Sequence, residues 1–153
     1  MKKGAIVFLL AAFYFGCDAV GVFEQTKAFP NHAWASADTL KFNFDITDTS
    51  SFYNVFVVLR HTDAYRYNNI YLNVTSINPG DTAITKRHNF VLAGNAGWLG
   101  SSMDDIIEQR MAINSTPVKL NKGSYVVILQ QIMRDDPLPN ILNAGVRIEK
   151  VVQ

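Results

Sequence analysis

The sequence predicts an all-β protein, an antiparallel β-sandwich of the jelly-roll or immunoglobulin-like type. About seven short apolar segments are separated by turn-forming residues, and little helical periodicity remains between them. Aromatic residues make up 12% of the chain, with 10 Phe and 6 Tyr, and many of them fall in alternating runs. Such alternation is typical of strands that bury one face. At 153 residues the chain is long enough for one such domain.

The first sixteen residues have the layout of an export signal. Lys2 and Lys3 precede an uncharged apolar run from Ala5 to Phe15. This run of about eleven residues is too short to cross a hydrocarbon core as a permanent helix, which needs ~20. Residues 1–16 are therefore predicted to be a cleaved signal peptide.

Cys17 is the single cysteine of the chain, which excludes an intramolecular disulfide and a cysteine-based zinc site. The segment Tyr14-Phe15-Gly16-Cys17 resembles the bacterial lipobox, although Tyr14 stands where leucine is usual. We therefore expect cleavage between Gly16 and Cys17, and acyl chains such as palmitate on Cys17, which would hold the protein durably at a membrane. The alternatives are a secretory signal with an incidental cysteine, or an uncleaved anchor.

The residues after Cys17 bear on location and domain boundaries. Asp18-Ala19-Val20-Gly21 lacks the acidic run that resembles surface-export signals of some gram-negative groups. We therefore expect a gram-negative envelope protein that is anchored to the outer membrane and faces the periplasm. Residues 17–37 are predicted to be a lipidated tether, and residues 38–153 a single β-sandwich domain.

Four strands are predicted in the first half of that domain. Leu40, Phe42, Phe44 and Ile46 alternate with polar residues, which predicts a half-buried strand. Phe52 to Leu59 is almost continuously apolar and fits a central strand that is covered on both faces. Ile70 to Ile77 is followed by a turn at Asn78-Pro79-Gly80-Asp81, and Thr82 to Leu92 completes a hairpin.

The second half is less regular. Ala93 to Ser102 has no period and is predicted to be the principal loop, whereas Asp104 to Asn114 fits a short helix and an irregular strand equally well. Tyr125 to Met133 is β-branched and predicts a strand with Val127 and Leu129 buried. The prolines of Asp135 to Asn140 interrupt the ladder, and Val146 to Val151 is predicted to be the last strand.

Composition and motifs argue against several functions. The net charge is +1, with 14 Lys and Arg against 13 Asp and Glu, so a nucleic-acid partner is not expected. His32, His61 and His88 lack metal-ligand spacing, and no catalytic or cofactor motif is present, so neither enzymatic activity nor a cofactor is expected. The acids Asp104, Asp105 and Glu108 fit either a calcium site or the start of a helix, and no metal site is predicted from them.

The residues favoured for partner binding are Tyr65, Arg66, Tyr67 and Trp98. They lie outside clean β alternation, before one strand and in the glycine-rich loop, and Tyr, Trp and Arg dominate binding hot spots. The alternative for Trp98 is that it closes one end of the sandwich. A second functional hypothesis is a carbohydrate-binding module, because sandwiches present Trp and Tyr to sugar rings.

Several stretches, spread over almost the whole chain, resemble one known family. They are Val22-Phe23-Glu24, Tyr53-Asn54-Val55-Phe56-Val57 with Leu59-Arg60, Tyr67-Asn68-Asn69-Ile70-Tyr71-Leu72, Trp98-Leu99-Gly100-Ser101 with Asp105-Ile106, Gly123-Ser124-Tyr125, Gln131-Ile132-Met133-Arg134 and Ala144-Gly145-Val146-Arg147-Ile148-Glu149. In order and spacing they resemble the GldH lipoproteins of gliding motility. Ser102-Met103-Asp104 and Asp136 to Asn143 are poorer in glycine than the family pattern.

The resemblance implies a cell-envelope lipoprotein that is needed for surface gliding and linked to the type IX secretion apparatus. It implies no catalytic residues. Because members also occur in species that do not glide, motility itself need not be the role. The expected activity is protein–protein interaction with other envelope proteins of the gliding or secretion machinery, with the glycan-binding module as the alternative.

Overall fold

A computed structural model describes residues 21–151, which form fourteen strands and, over that range, no helix. The strands are β1 Gly21–Ala28, β2 Ala33–Trp34, β3 Leu40–Ile46, β4 Phe52–Thr62, β5 Asn69–Ile77, β6 Ile84–Val91, β7 Ala93–Gly94, β8 Gly97–Trp98, β9 Ser101–Met103, β10 Ile106–Ala112, β11 Val118–Lys119, β12 Gly123–Gln131, β13 Leu138–Pro139 and β14 Ile141–Lys150. Within this part of the chain nothing helical could therefore span a membrane. The predicted all-β class is confirmed.

Two antiparallel sheets make up the sandwich. One has the order β1-β14-β4-β10-β9, with β11 also paired to β4, and the other has the order β3-β12-β5-β6. Two small ladders, β13 with β2 and β7 with β8, supplement them. The side chains that the two sheets turn towards each other form one continuous apolar core.

Two strands follow their sequence patterns closely. In β3 the residues Leu40, Phe42, Phe44 and Ile46 are buried and the polar residues between them are exposed, as predicted. In β12 the predicted burial of Val127 and Leu129 is confirmed, and Leu129 pairs with Leu40 on one side and Val74 on the other. These neighbouring strands therefore supply the middle of the core.

The ordered body begins earlier than the predicted boundary at residue 38. Strand β1 pairs with β14 along its length, and Phe29 and Trp34 belong to the core. Arg147 of β14 binds Glu24 of β1 in an ion pair that ties the two strands together. Residues 21–37, assigned to the tether from the sequence, are thus part of the sandwich because their partner strand lies at the other end of the chain.

The structure also resolves the irregular second half. Residues 106–112, left open between helix and strand, form β10, which lies between β4 and β9. The predicted principal loop contains the small β7–β8 hairpin, in which Ala93 pairs with Trp98. The last strand starts at Ile141, earlier than predicted, because its first residues pair with the end of β4.

Strand directions define two ends of the sandwich. The entry end is where β1 begins, with Gly21 paired to Glu149 and Tyr53 paired to Lys150 on the next strand. The far end is where β1 finishes, with Ala28 paired to Asn143. On the same end lie the last residues of β4 and the connections from Asp63 to Asn68 and from Leu92 to Gly100.

Candidate functional site

The lipid-attachment and cleavage residues predicted from the sequence, Gly16 and Cys17, lie outside the described residues. Strand β1 starts at Gly21, shortly after Cys17 in the chain. That start lies at the entry end.

All four residues predicted to bind a partner lie at the far end. Tyr65 and Trp98 pack together there around His61, with the Trp98 ring 4.5 Å from the His61 ring and the Tyr65 ring 5.2 Å from it, between centroids. Tyr67 extends the group, its ring 5.7 Å from that of Tyr65. We call these four rings the aromatic cluster. Arg66 is exposed beside it.

Tyr65 and Trp98 differ in what they offer to a partner. Tyr65 is 4% exposed, and its hydroxyl donates a hydrogen bond to the Asn69 carbonyl over 3.0 Å. Burial is the main reason that its pKa is raised. Its side chain has almost no surface for direct contact. Trp98 is only partly buried, so it both covers His61 and contributes some surface to the far end.

Beneath Trp98 lies a buried polar pair, His61 and Gln109. The His61 Nδ1–H donates to the Thr62 carbonyl over 2.8 Å, and the Gln109 Nε2–H donates to the Leu92 carbonyl over 3.0 Å. Burial lowers the pKa of His61 and favours the neutral ring. Gln109 thus joins strand β10 to Leu92, the residue directly before the β7–β8 hairpin that carries Trp98.

Tyr67 is held at the rim of a depression of about 330 Å³ on the outer face of the β3-β12-β5-β6 sheet. Its hydroxyl donates to Asp135 Oδ2 over 2.7 Å, and this bond is the main reason that the pKa of Tyr67 is raised. The depression, which we call the arginine depression, is lined by Tyr67, Asn69, Tyr71, Arg87, Ile132, Met133 and Arg134.

Large apolar side chains are exposed mainly at the far end. Four of the six exposed ones in the described part of the chain lie there, on β6, β9, β10 and the loop after β8. Leu99 is 63% exposed and Met103 is 78% exposed. We call the four the apolar patch: Val91, Leu99, Met103 and Ile106. Met103 pairs with Ile106 across β9 and β10, and neighbouring exposed apolar side chains commonly mark an interaction site.

Part of the apolar patch borders a second depression, of about 580 Å³, on the outer face of the other sheet. Its apolar lining comes from Met103, Ile106 and Leu142, and Asn143 also lines it. The Asn143 Oδ1 and the Thr62 Oγ1 are buried, and neither has a hydrogen-bond partner among residues 21–151. A buried polar atom without a partner is uncommon in a finished interior.

Charged side chains lie beside this depression. Glu108 forms salt bridges with two arginines. Its Oε2 lies 2.6 Å from Arg60 Nη2, and its Oε1 lies 3.0 Å from Arg110 Nη2. Burial opposes ionisation of Glu108, yet the two arginines together lower its pKa. Two guanidinium groups thus share one carboxylate, and Asp104 and Asp105 in the adjacent β9–β10 turn add negative charge beside them. Both carboxylate oxygens of Glu108 therefore bind arginines and not a calcium ion.

Metal chemistry finds no support in the described part of the chain. Between residues 21 and 151 no three His, Cys, Asp or Glu side chains are grouped closely enough to hold a metal ion. Asp104 has a positive φ of 54° in the turn between β9 and β10, so the acidic segment closes a hairpin and does not start a helix.

Sequence reasoning missed four residues that line the two depressions: Arg87, Met103, Ile106 and Arg134. Arg87 and Arg134 are distant in sequence, and pairing of β5 with both β6 and β12 brings them to one depression. Ile106 is apolar although it lies on the exposed face of β10, and this break in the polar–apolar alternation was the signal that the sequence offered.

Comparison with known proteins gives a consistent result. Residues 21–148 match the family model described as GldH lipoprotein. Over 158 aligned residues the chain is 30% identical to the gliding motility lipoprotein GldH of Flavobacterium johnsoniae, covering 98% of each chain. It is 28% identical to the gliding motility lipoprotein GldH homolog of Christiangramia forsetii, covering 88% of this chain and 86% of that one.

Solved structures add little. The chain aligns with the VP2 subviral particle of infectious bursal disease virus at 12% identity and a TM-score of 0.21, covering 85% of this chain and 39% of that one. A structure of the Gx strain of the same virus gives 10% identity and a TM-score of 0.19, covering 86% and 34%. Such scores are too low to indicate a shared fold.

Proposed function

The chain belongs to the GldH lipoprotein family, and we propose that it serves the gliding and type IX secretion machinery as an interaction protein. In this proposal lipid on Cys17 tethers the protein to the outer membrane on its periplasmic side. The sandwich then docks to another envelope protein through its far end. Its chemistry is contact, with no substrate turned over.

One observation carries the proposal: the apolar patch lies at the end opposite the start of β1. A membrane-tethered protein can reach partners most freely with the end that points away from its anchor. The patch places Leu99 and Met103 there, and both are more than half exposed. Burial of such side chains against a partner contributes about 25 cal/mol per Å² of apolar surface before the entropic costs of association are subtracted.

The depression next to the patch indicates what the partner offers. Its walls are apolar at Met103, Ile106 and Leu142, which suits an apolar side chain of the partner. The partner is thus expected to present an apolar segment.

Crosslinking in cells tests this proposal. Met103→Glu and Leu99→Glu place a negative charge in the patch without disturbing the core, because both side chains are exposed. We expect each to reduce recovery of the crosslinked envelope partner by about tenfold, since a desolvated charge weakens an apolar contact. Intact-mass measurement of the same samples establishes whether acylated Cys17 is present in every variant.

Ile84→Glu is the matched control. Ile84 is 51% exposed and lies at the entry end of β6, so the substitution makes the same chemical change away from the patch. Equal loss of partner recovery for Ile84→Glu and Met103→Glu would contradict docking through the far end. Full recovery with Met103→Glu and Leu99→Glu combined would do the same.

A further inference from the structure

We infer that the arginine depression binds a carboxylate-bearing sugar of an acidic polysaccharide. The site lies on the outer face of the β3-β12-β5-β6 sheet and shares no lining residue with the depression at the apolar patch. The inference therefore goes beyond the docking proposed above and stands on separate side chains. Three properties support it: charge, rigidity and shape.

Charge comes first. Arg87 and Arg134 both line the depression, and Arg66 is near enough for its charge to lower the pKa of Tyr67. Among the ion pairs of residues 21–151 none engages these three guanidinium groups. Asp135 is the acid at the rim, and its Oδ2 accepts the Tyr67 hydroxyl. The remaining positive excess is complementary to an anion, and guanidinium groups suit carboxylates.

Rigidity comes from contacts made before any ligand is bound. The Arg87 guanidinium lies 4.6 Å from the centre of the Tyr71 ring, which holds the long side chain over the sheet. The Asn69 Nδ2–H donates to Asn89 Oδ1 over 2.7 Å, and the Tyr71 N–H donates to Met133 Sδ over 3.2 Å. A lining that is already ordered loses less conformational entropy on binding.

Shape favours a sugar over the other carriers of a carboxylate or phosphate. The volume of about 330 Å³ lies at the small end of ligand sites and suits a small ligand such as a sugar unit. The ring of Tyr67 and the side chain of Ile132 offer apolar surface to the C–H face of a pyranose, and Asn69 offers hydrogen bonds to hydroxyls.

The backbone around the depression argues against a peptide strand as the ligand. The Tyr71 N–H donates to Met133 Sδ over 3.2 Å and the Tyr71 carbonyl accepts from the Ile132 N–H over 3.1 Å, so the backbone groups of this lining residue are already engaged. A peptide that binds by strand addition needs a free edge, and a sheet face does not provide one. A headgroup of the protein's own membrane would lie at the entry end, if Cys17 is the anchor.

Calorimetry on the detergent-solubilised full-length lipoprotein at low salt tests the inference. The probe is tetragalacturonate, and its methyl ester is the neutral counterpart. We expect heat of binding for the acid and at least about tenfold weaker binding for the ester, because the ester lacks the charge that the arginines recognise. Arg134→Gln and Arg87→Gln should each weaken binding of the acid by about threefold to tenfold.

Lys41→Gln is the matched control, because Lys41 is exposed on the edge strand β3 of the same sheet and is equally charged. It should leave the affinity unchanged. The inference is overturned if tetragalacturonate does not bind, if Lys41→Gln weakens binding as much as Arg134→Gln, or if tetraglutamate binds as tightly as the sugar. Binding of glycerol 3-phosphate, a soluble phospholipid headgroup, as tightly as the sugar would also overturn it.

Discussion

Polar contacts close the turns at the entry end of the sandwich, whereas the connections at the far end pack through aromatic contacts. At the entry end Asp48 Oδ1 accepts from the Ser50 N–H over 2.8 Å, and Asp48 Oδ2 pairs with Lys150 over 2.9 Å. The Tyr53 hydroxyl donates to the Asp48 carbonyl over 2.6 Å. Asn114 Oδ1 accepts from the Val55 N–H over 2.8 Å. The turns there have their hydrogen bonds within the chain.

The far end is left less complete. The two buried side-chain polar atoms that lack partners within residues 21–151, on Thr62 and Asn143, are both there, together with the apolar patch. Both ends belong to the same two sheets, so the difference does not follow from the fold. Under the proposal above a partner would complete the far end, whereas the turns of the entry end are completed by their own side chains.

The largest expected effect is on the core that both ends share. Leu129 is fully buried at the centre of β12, so Leu129→Ala should lower the free energy of unfolding by about 2–5 kcal/mol. Thermal melts of the lipoprotein would measure this, with Ile128→Ala on the outer face of the same strand as the control. A loss well below about 1 kcal/mol would mean that the two ends do not rest on one core.

An intermediate effect is expected from Trp98→Ala, which acts on the far end alone. Because the ring is only partly buried, the loss should be about 1–3 kcal/mol, smaller than for a fully buried Trp. Amide exchange should accelerate at Leu92 and Tyr65 and remain unchanged at Val55, whose N–H is bonded at the entry end.

The same variant separates two roles of Trp98. If partner recovery falls only in proportion to the unfolded fraction, Trp98 closes the sandwich and does not contact the partner. If recovery falls at a temperature where the protein is fully folded, its exposed part belongs to the interface. Uniform acceleration of exchange at both ends would contradict the independence of the far end.

Much of the sandwich was readable from local pattern, because β3 and β12 each bury one face and their alternation is complete. Strand β1 was missed since it is an edge strand with only two partly buried positions, Phe23 and Thr26. Strand β10 was ambiguous because a polar residue, Gln109, points inwards and an apolar one, Ile106, points outwards. The local sequence pattern fails to predict a strand where its side chains contact distant segments of the chain.

The candidate site shows the same limit. The placement of Tyr65, Arg66, Tyr67 and Trp98 at one end could be suspected from their residue types. The burial of Tyr65 could not, because it depends on Trp98, which comes from a distant part of the chain. The arginine depression depends on the pairing of three strands, and sequence order contains no sign of it.

The smallest expected effect is a dependence of stability on pH that differs between the two ends. His61 is buried and has a lowered pKa in the folded state, caused mainly by burial. Between that lowered value and the unfolded value of about 6.5, the unfolded chain binds a proton that the folded chain does not. Stability should therefore fall as pH drops below about 6.5, by at most about 1.4 kcal/mol per pH unit.

Asp48 at the entry end titrates over a lower pH range. Hydrogen bonds from Ser50 are the first cause of its lowered pKa, so its contribution to stability is lost only in the acid range, below the unfolded pKa of the carboxyl group.

Denaturant unfolding at pH 7.5, 6.5 and 5.5 would measure this difference. His61→Gln should flatten the curve over that range while leaving the loss at lower pH in place. His88 also has a pKa lowered by burial, so both proteins should carry His88→Gln, which removes the second histidine that titrates in the same window. Amide exchange at pH 5.5 should then be faster than at pH 7.5, after correction for intrinsic rates, at Leu92 and unchanged at Val55. If His61→Gln retains the full decline between pH 7.5 and 5.5, protonation at the far end is not its cause, and the two ends do not differ in this respect.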